Sequence, residues 1–201
     1  MQTKAFILTL IATGLITACS GSTGEAERTG PWTLDAAESG MTYITVKNND
    51  LGEINTFREI SGSVSETGNA VFTINLDSVD TANETRDPRM REHVFKTASF
   101  PMAKASAQLD MTQFESLPIG NSETVLLDVN IELAGYATQR DFYVQVTRLG
   151  VNKVVVNNKA PLILEVAEFG MEEGIETLRG LAGLDTISPV VPVTMSLVFE
   201  R

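Results

Sequence analysis

The sequence has few of the residues that build metal, redox and disulfide sites, since its 201 residues include one cysteine and one histidine. A single cysteine cannot form an internal disulfide, so a disulfide-stabilised scaffold is excluded. One histidine without accompanying thiols provides no metal-ligand spacing, and we therefore expect no metal site. The patterns Gly-x-Ser-x-Gly and Gly-x-Gly-x-x-Gly and the phosphate-binding loop are also absent. The chain thus lacks the nucleophile elbow of α/β-hydrolases, the fingerprint of dinucleotide-binding enzymes and the phosphate-binding loop of nucleoside triphosphatases.

Positive charge is scarce as well, with 15 Lys and Arg against 26 Asp and Glu and a formal net charge of −11. This balance argues against nucleic acid as a partner, because affinity for phosphate backbones depends on basic side chains. It also argues against attraction to anionic lipid headgroups. The length favours a single domain that can bury a core without disulfides.

The one cysteine follows a short apolar segment at the start of the chain. Lys4 precedes residues 5–16, which are apolar apart from Thr9 and Thr13. This is about the length of a signal-peptide core, and it is shorter than the roughly 20 apolar residues that span a bilayer. One interpretation of this segment is an ordinary secretory signal followed by an incidental cysteine. Another is a buried N-terminal helix.

The residues Leu15-Ile16-Thr17-Ala18-Cys19-Ser20 resemble a bacterial lipobox, in which small residues precede a cysteine that is acylated and becomes the mature N-terminus. The resemblance implies that residues 1–18 are a lipoprotein signal peptide and that Cys19 carries the acyl chains, palmitate among them. Residues 19–30 contain Gly, Ser, Thr and charged residues without apolar periodicity, which predicts a flexible tether. Ser20 after the cysteine favours the outer membrane, facing the periplasm.

The remainder of the chain is dominated by alternating apolar and polar residues, which predict antiparallel strands with one wet face. Such patterns occupy residues 41–47, 54–64, 70–77, 102–109, 125–133, 139–148, 151–156, 162–169 and 193–199. Two interruptions predict short helices, one at residues 87–95, opened by a cap and a first-turn proline at Asp87-Pro88, and one at residues 171–184. An all-β chain of this size closes as a sandwich or as a barrel, and an eight-stranded barrel can hold one small ligand.

Several segments resemble one known family in their order and spacing. They are Trp32-Thr33-Leu34-Asp35, Leu76-Asp77-Ser78-Val79-Asp80-Thr81, Arg86-Asp87, Phe100-Pro101, Ile131-Glu132-Leu133-Ala134-Gly135-Tyr136-Ala137 and Phe169-Gly170. Together they are similar to the YceI-like family of periplasmic polyisoprenoid-binding proteins. The resemblance implies that residues 31–201 form an antiparallel eight-stranded, lipocalin-like β-barrel with one or two short helices. Glu38 stands where many members of the family have histidine.

The apolar faces of the strands are the main candidates for a binding site. By composition alone they favour a filled core over a ligand cavity, whereas the family resemblance favours a cavity. The predicted apolar lining consists of Tyr43, Phe57, Phe72, Ile74, Leu76, Phe95, Leu127, Val129, Ile131, Phe142, Val144, Leu164, Met195 and Leu197. We expect an isoprenoid, an isoprenoid quinone or another long apolar lipid as the partner, held as a ligand and not as a cofactor.

Three polar residues on and just before the first predicted helix allow more than one interpretation. Arg86, Asp87 and His93 would form a polar rim that contacts a ligand headgroup. Alternatively, Asp87 as a base with Arg86 and His93 would make the barrel an enzyme, which requires that the three side chains converge in a pocket. A purely structural role is the third interpretation, with Asp87 as a helix cap and Arg86 in ion pairs. An interaction module with a filled core remains a further alternative for the whole domain.

Overall fold

The computed structural model describes residues 26–201. The predicted signal peptide, Cys19 and most of the predicted tether lie outside the described residues. None of the helices in residues 26–201 is long and apolar enough to cross a membrane.

Twelve β-strands make up most of the domain. They are β1 (Trp32–Leu34), β2 (Gly40–Lys47), β3 (Leu51–Phe57), β4 (Ile60–Val64), β5 (Asn69–Asn75), β6 (Val79–Asp80), β7 (Met102–Gln108), β8 (Ser122–Leu133), β9 (Tyr136–Gly150), β10 (Lys153–Asn158), β11 (Leu162–Glu165) and β12 (Val190–Glu200). Three α-helices interrupt them, namely α1 (Arg86–Arg89), α2 (Thr112–Glu115) and α3 (Glu172–Ala182). A π-helical segment (Met90–Phe95) continues α1, and 3-10 turns lie at Leu76–Ser78 and Val166–Phe169.

The twelve strands close into an antiparallel barrel of eight strand positions, because some consecutive strands continue one another after a break. Strand β1 pairs with β4 while β2 pairs with β3, and β5 pairs with β4 while β6 pairs with β3. Both β10 and β11 pair with β12. The barrel closes where β12 pairs with β1 and β2. Closure of this kind removes exposed sheet edges, and it confirms the predicted fold.

The longest hairpin shows how local sequence sets the register. Strands β8 and β9 pair from Ser122 with Thr147 down to Leu133 with Tyr136. The two residues between them, Ala134 and Gly135, have φ of 51° and 86°. Positive φ at both central residues is the geometry of a tight turn that matches strand twist. This turn fixes which side of each strand faces the interior.

Helical segments cover one end of the barrel. Met90, Val94 and Phe95 of the π-helical segment and Leu178 of α3 are buried in the main apolar core. In the loop before α1, the side chain of Asn83 accepts hydrogen bonds from the backbone N–H groups of Thr85 and Arg86. The sequence pattern assigned this capping role to Asp87, which instead lies inside α1 and is bonded elsewhere.

Much of the buried apolar core lies at the helix-covered end. Leu76 and Val79 are at most 1% exposed. The rings of Tyr43 and Phe57 stack at a centroid distance of 5.5 Å, and Phe95 packs tilted against Phe57 at 5.6 Å. At the opposite end lie the first residues of β1, β8 and β10 and the last residues of β4, β7, β9 and β12. This second end remains open, and the candidate site lies there.

Candidate functional site

A cavity of about 390 Å³ opens at the end of the barrel opposite α3 and the π-helical segment. This volume falls within the range of roughly 300–1,000 Å³ that is typical of small-molecule sites. The cavity extends inward as far as Leu127, Val144 and Val156, which belong to three neighbouring strands. The barrel is therefore filled at one end and hollow at the other.

The walls of the cavity are apolar because alternate residues of each strand face inward. Strands supply Trp32, Val64, Val125, Leu127, Val144, Val146, Val154, Val156 and Phe199. The connection between β7 and β8, which contains α2, adds Leu109, Met111, Phe114 and Leu117. The surface that results can take an apolar chain, and it offers hydrogen-bonding groups mainly at its entrance.

Charged residues surround the entrance, namely Glu27, Glu66, Glu115, Arg148 and Arg201. The Arg201 guanidinium lies over the Trp32 ring at 4.5 Å from its centroid, and its Nη2 lies 2.5 Å from Glu27 Oε1.

Arg148 is held at the same entrance by several groups. Its Nη2 lies 3.7 Å from Glu27 Oε1. Its guanidinium also donates to the carbonyl oxygens of Leu117, Gly150 and Val151 at 3.2–3.3 Å. Both rim arginines are thus engaged within the protein.

The structure distributes the predicted apolar lining between the cavity and the core. Leu127 and Val144 line the cavity. The other predicted residues lie elsewhere. Tyr43, Phe57, Ile74, Leu76, Phe95 and Leu197 are buried core residues, and Phe72, Leu164 and Met195 pack partly buried against them. On β8 and β9, Val129 is buried, while Ile131 and Phe142 are half-buried.

The sequence prediction missed most of the residues that line the cavity. The alternation placed Val125 and Val146 on apolar strand faces, but a period of two does not tell how far along the barrel axis a residue lies. The loop residues Met111, Phe114 and Leu117 carried no recognisable signal, because their position depends on how the connection from β7 to β8 folds across the entrance.

The predicted polar residues lie at the opposite, helix-covered end and do not line the cavity. Asp87 is 7% exposed, and its Oδ1 accepts hydrogen bonds from Thr81 N at 3.0 Å and Thr81 Oγ1 at 2.5 Å. Arg86 donates to the Thr81 carbonyl at 2.6 Å and forms an ion pair with Glu53. These contacts hold the loop before α1 against β3, so Arg86 and Asp87 have a structural role here.

Glu53 is the centre of this ion-pair group, because Lys47 Nζ also lies 2.6 Å from its Oε2. Burial opposes ionisation of Glu53, but hydrogen bonds and positive charge from Lys47 and Arg86 outweigh burial and lower the pKa of this carboxyl.

His93 also lies apart from the cavity. It belongs to the π-helical segment, its side chain is 31% exposed, and its Nε2 is 3.9 Å from Glu92 Oε2. A second cavity, of about 300 Å³, lies beside Val94, Phe100 and Tyr136. Arg86, Asp87 and His93 line neither this cavity nor the one at the open end. The convergence that the catalytic interpretation required is therefore not observed.

One group of carboxylates in the described part of the chain lies close enough to hold a cation, namely Asp35, Glu38 and Glu200. Lys153 Nζ already lies 2.8 Å from Glu38 Oε1 and 2.9 Å from Glu200 Oε1. The hydrogen bonds that the Lys153 ammonium group donates, first to Glu38 and then to Glu200, raise the pKa of Lys153. The ammonium group therefore already pairs with two of the three carboxylates, and the arrangement is a surface ion-pair network.

Comparison with known proteins identifies the family. A model of the YceI-like domain matches residues 32–199. The chain belongs to the YceI-like family. The matched range covers all twelve strands up to the last residues of β12, so the whole barrel of this YceI-like protein is included.

Solved structures of other proteins have the same fold as this chain. A polyisoprenoid-binding domain from Saccharophagus degradans, implicated in plant cell wall breakdown, has 34% sequence identity and a TM-score of 0.83, covering 85% of this chain and 98% of that domain. Burkholderia cenocepacia BcnA shares the fold at 16% identity, with a TM-score of 0.65 over 82% of this chain and 98% of its own. The YceI protein of Campylobacter jejuni shares it at 14% identity, with a TM-score of 0.52 over 73% of this chain and 84% of its own. Among curated proteins, no match to this YceI-like chain was found.

Proposed function

We propose that this YceI-like protein binds an isoprenoid or a similar long apolar lipid in the cavity at the open end of its barrel, and that it acts by binding without turnover. The observation that carries the proposal is the apolar cavity of about 390 Å³ with its charged entrance. The similarity to the S. degradans polyisoprenoid-binding domain supports the same class of ligand.

The apolar walls provide the affinity. Burying each CH₂ group contributes about 0.8 kcal/mol, so about ten buried carbons contribute roughly 8 kcal/mol before ordering costs. The ordering of a flexible chain reduces this value. Since about 8 kcal/mol corresponds to a dissociation constant of about 1 μM, the ordering cost raises the expected dissociation constant above 1 μM, which suits a protein that stores, sequesters or carries a lipid and later releases it.

The charged entrance favours a ligand whose headgroup is uncharged. The entrance carries three carboxylates, from Glu27, Glu66 and Glu115, and two positive charges, from Arg148 and Arg201. Both arginines are already paired with Glu27. A phosphate would have to displace these pairs and approach the remaining carboxylates, whereas a quinone headgroup would not. Within the isoprenoid class, this rim supports an isoprenoid quinone.

We place the protein in the bacterial cell envelope, anchored through acyl chains on Cys19 and attached to the outer membrane on its periplasmic side. The lipobox resemblance of Leu15-Ile16-Thr17-Ala18-Cys19-Ser20 supports this location. Two or more acyl chains anchor a protein stably, whereas one chain gives marginal binding. Fractionation of cells that express Cys19→Ser tests the anchor, because this variant should be exported without acylation and recovered in the soluble fraction. Tight membrane attachment of the exported variant would contradict the lipobox interpretation.

A pair of variants on one strand tests the binding site. Leu127 lines the cavity, and its neighbour Leu126 is 52% exposed on the outer face of β8. Leu127→Trp should fill the cavity and abolish retention of apolar lipid, whereas Leu126→Trp should leave retention unchanged. The measurement is extraction of the purified protein with organic solvent followed by mass spectrometry, with thermal unfolding as a check that both variants fold. Equal lipid content in the two folded variants, or no lipid in the unmodified protein, would overturn the proposal.

A further inference from the structure

The first described residues, 26–30, are bound to the rim of the cavity just before β1 begins. Asn152, which is 3% exposed in the turn between β9 and β10, holds this N-terminal segment through two hydrogen bonds. Its Oδ1 accepts from Arg28 N at 2.7 Å, and its Nδ2 donates to the Ala26 carbonyl at 2.8 Å. A buried amide that satisfies both a donor and an acceptor of the same segment acts as a clamp on its backbone.

Further contacts bind the same segment to the rim. Glu27 pairs with Arg201, and Arg28 Nη1 donates to the Arg201 carbonyl at 3.3 Å. Gly30 N donates to Glu66 Oε1 at 2.9 Å. Because Glu27 itself lines the cavity, the chain enters the folded domain at the edge of the opening.

This attachment limits how far the cavity can lie from an anchor on Cys19. Seven residues lie between Cys19 and Glu27, and the corresponding eight Cα–Cα steps span at most about 29 Å when the chain is fully extended. Strand β8 has 12 residues, so it is about 40 Å long at 3.4 Å per residue. With a strand tilt near 40°, the barrel is about 30 Å tall. A fully stretched tether of about 29 Å would only just match this height, whereas a flexible chain of eight steps has an average end-to-end distance of about 16 Å. The predicted tether therefore favours the orientation in which the rim faces the membrane.

The surface around the opening also suits contact with lipid. Ile119 is 57% exposed and Leu149 is 47% exposed. The loop that carries Ile119 is joined to β9 by a hydrogen bond from Gly120 N to the Arg148 carbonyl at 2.7 Å. Exposed apolar side chains beside an apolar cavity fit a bilayer surface. The acidic rim provides no attraction to anionic lipids, so approach depends on the anchor.

We infer that the cavity opens toward the membrane that carries the acylated Cys19, so that an apolar ligand passes directly between the bilayer and the barrel. This inference rests on the proposed function for both the anchor and the ligand. It adds the orientation of the domain and assigns Asn152 as the residue that sets it.

The single tryptophan makes the orientation measurable, because Trp32 lines the cavity. The acylated protein is reconstituted into phosphatidylcholine vesicles that contain lipids brominated near the headgroup, and tryptophan fluorescence is recorded. Trp32 should be quenched in the acylated protein and should not be quenched in Cys19→Ser mixed with the same vesicles. The matched control is Leu181→Trp in a Trp32→Phe background, since Leu181 is 49% exposed on α3 at the other end. This control should remain unquenched, and equal quenching at both ends would overturn the inference.

Two variants test whether the attachment of the N-terminal segment sets the orientation of the domain. Asn152→Ala should weaken Trp32 quenching, and so should an insertion of about ten Gly and Ser residues after Ser20, which loosens the restraint without touching the folded domain. The insertion provides the test if Asn152→Ala does not fold. Solvent extraction of Cys19→Ser separates the two proposals. If this variant retains lipid but Trp32 of the acylated protein is not quenched, the orientation alone is overturned. If the variant contains no lipid, the proposed function is overturned.

Discussion

At the scale of single residues, the helix-covered end is held by charge pairs that are only partly exposed. Glu53 accepts from both Lys47 and Arg86, whose side chains are 18% and 16% exposed. A carboxyl whose pKa is lowered on folding stabilises the native state above its ordinary pKa, and the contribution disappears as the pH falls through the lowered value. The ordinary value for Glu53 is 4.5, so its contribution is complete at neutral pH and is lost in the acid range below 4.5.

Glu53→Gln should therefore lower the free energy of unfolding at pH 7 by about 2 kcal/mol, since two charged donors lose their ionised acceptor. The difference from the unmodified protein should shrink as the pH is lowered below 4.5. Denaturant unfolding at several pH values measures it. The control is Glu176→Gln, whose exposed pair with Arg179 within α3 should contribute less than about 1 kcal/mol. A pH-independent difference would contradict the assignment.

Asp87 gives a second prediction at this scale, because its carboxylate is the acceptor for both the amide and the hydroxyl of Thr81. Asp87→Ala should reduce stability by about 2–3 kcal/mol, since it leaves a buried N–H group unsatisfied. Asp87→Asn keeps an acceptor oxygen and should cost less. Neither variant should change the lipid content measured by extraction, because Asp87 lies far from the cavity. Loss of lipid at unchanged stability would instead support a role for Asp87 in binding.

At the scale of secondary-structure elements, the packing of α3 on the π-helical segment depends on a glycine. A Cβ at Gly174 would lie 2.3 Å from the His93 carbonyl oxygen and 2.9 Å from Val94 Cα, and both of these are backbone atoms. Gly174→Ala should therefore push the two segments apart and cost about 1–3 kcal/mol. In the same helix, a Cβ at Gly180 meets no atom within 4 Å, so Gly180→Ala should stabilise by about 0.5–1 kcal/mol. Thermal unfolding of the two variants should shift in opposite directions.

The elements also show which features can be predicted from the sequence. Alternation located the barrel strands, and the resemblance around Leu76–Thr81 and Phe169-Gly170 indicated the fold, because period-two patterns and turn residues are local signals. The end of β11 was harder to predict. The strand pattern ran through residues 162–169, but the chain turns at Val166, whose N–H donates to the Pro189 carbonyl. That hydrogen bond joins residues distant in sequence, and no local pattern contains it.

The candidate site was less predictable than the fold for the same reason. Leu127 and Leu197 have the same alternation, yet one lines the cavity and the other lies in the core. The two leucines differ in their position along the barrel axis. That position follows from the strand register and from the elements that cover each end. The clamp by Asn152 on Ala26 and Arg28 joins residues more than 120 positions apart, so it could not be read from either segment.

At the scale of the whole molecule, the two ends of the barrel differ in how they are closed. Side chains from α3 and the π-helical segment fill one end. At the other end, the α2 connection lies over a cavity and its side chains are only partly buried. Regions with few buried contacts open with a smaller free energy than the core. Ligand entry is therefore expected at the open end.

Hydrogen exchange provides the test of this asymmetry. In protein freed of lipid, amides near Leu76, Val79 and Val94 should exchange slowest because these residues are at most 2% exposed in the core, and amides of residues 109–121 should exchange fastest. Adding a short-chain isoprenoid quinone should slow exchange at residues 109–121, because a ligand that binds only the native state stabilises the segments it covers. Exchange at residues 86–95 should stay the same. If the quinone instead protected residues 86–95, the ligand would enter through the helix-covered end, and both the assigned cavity and the membrane-facing orientation would be wrong.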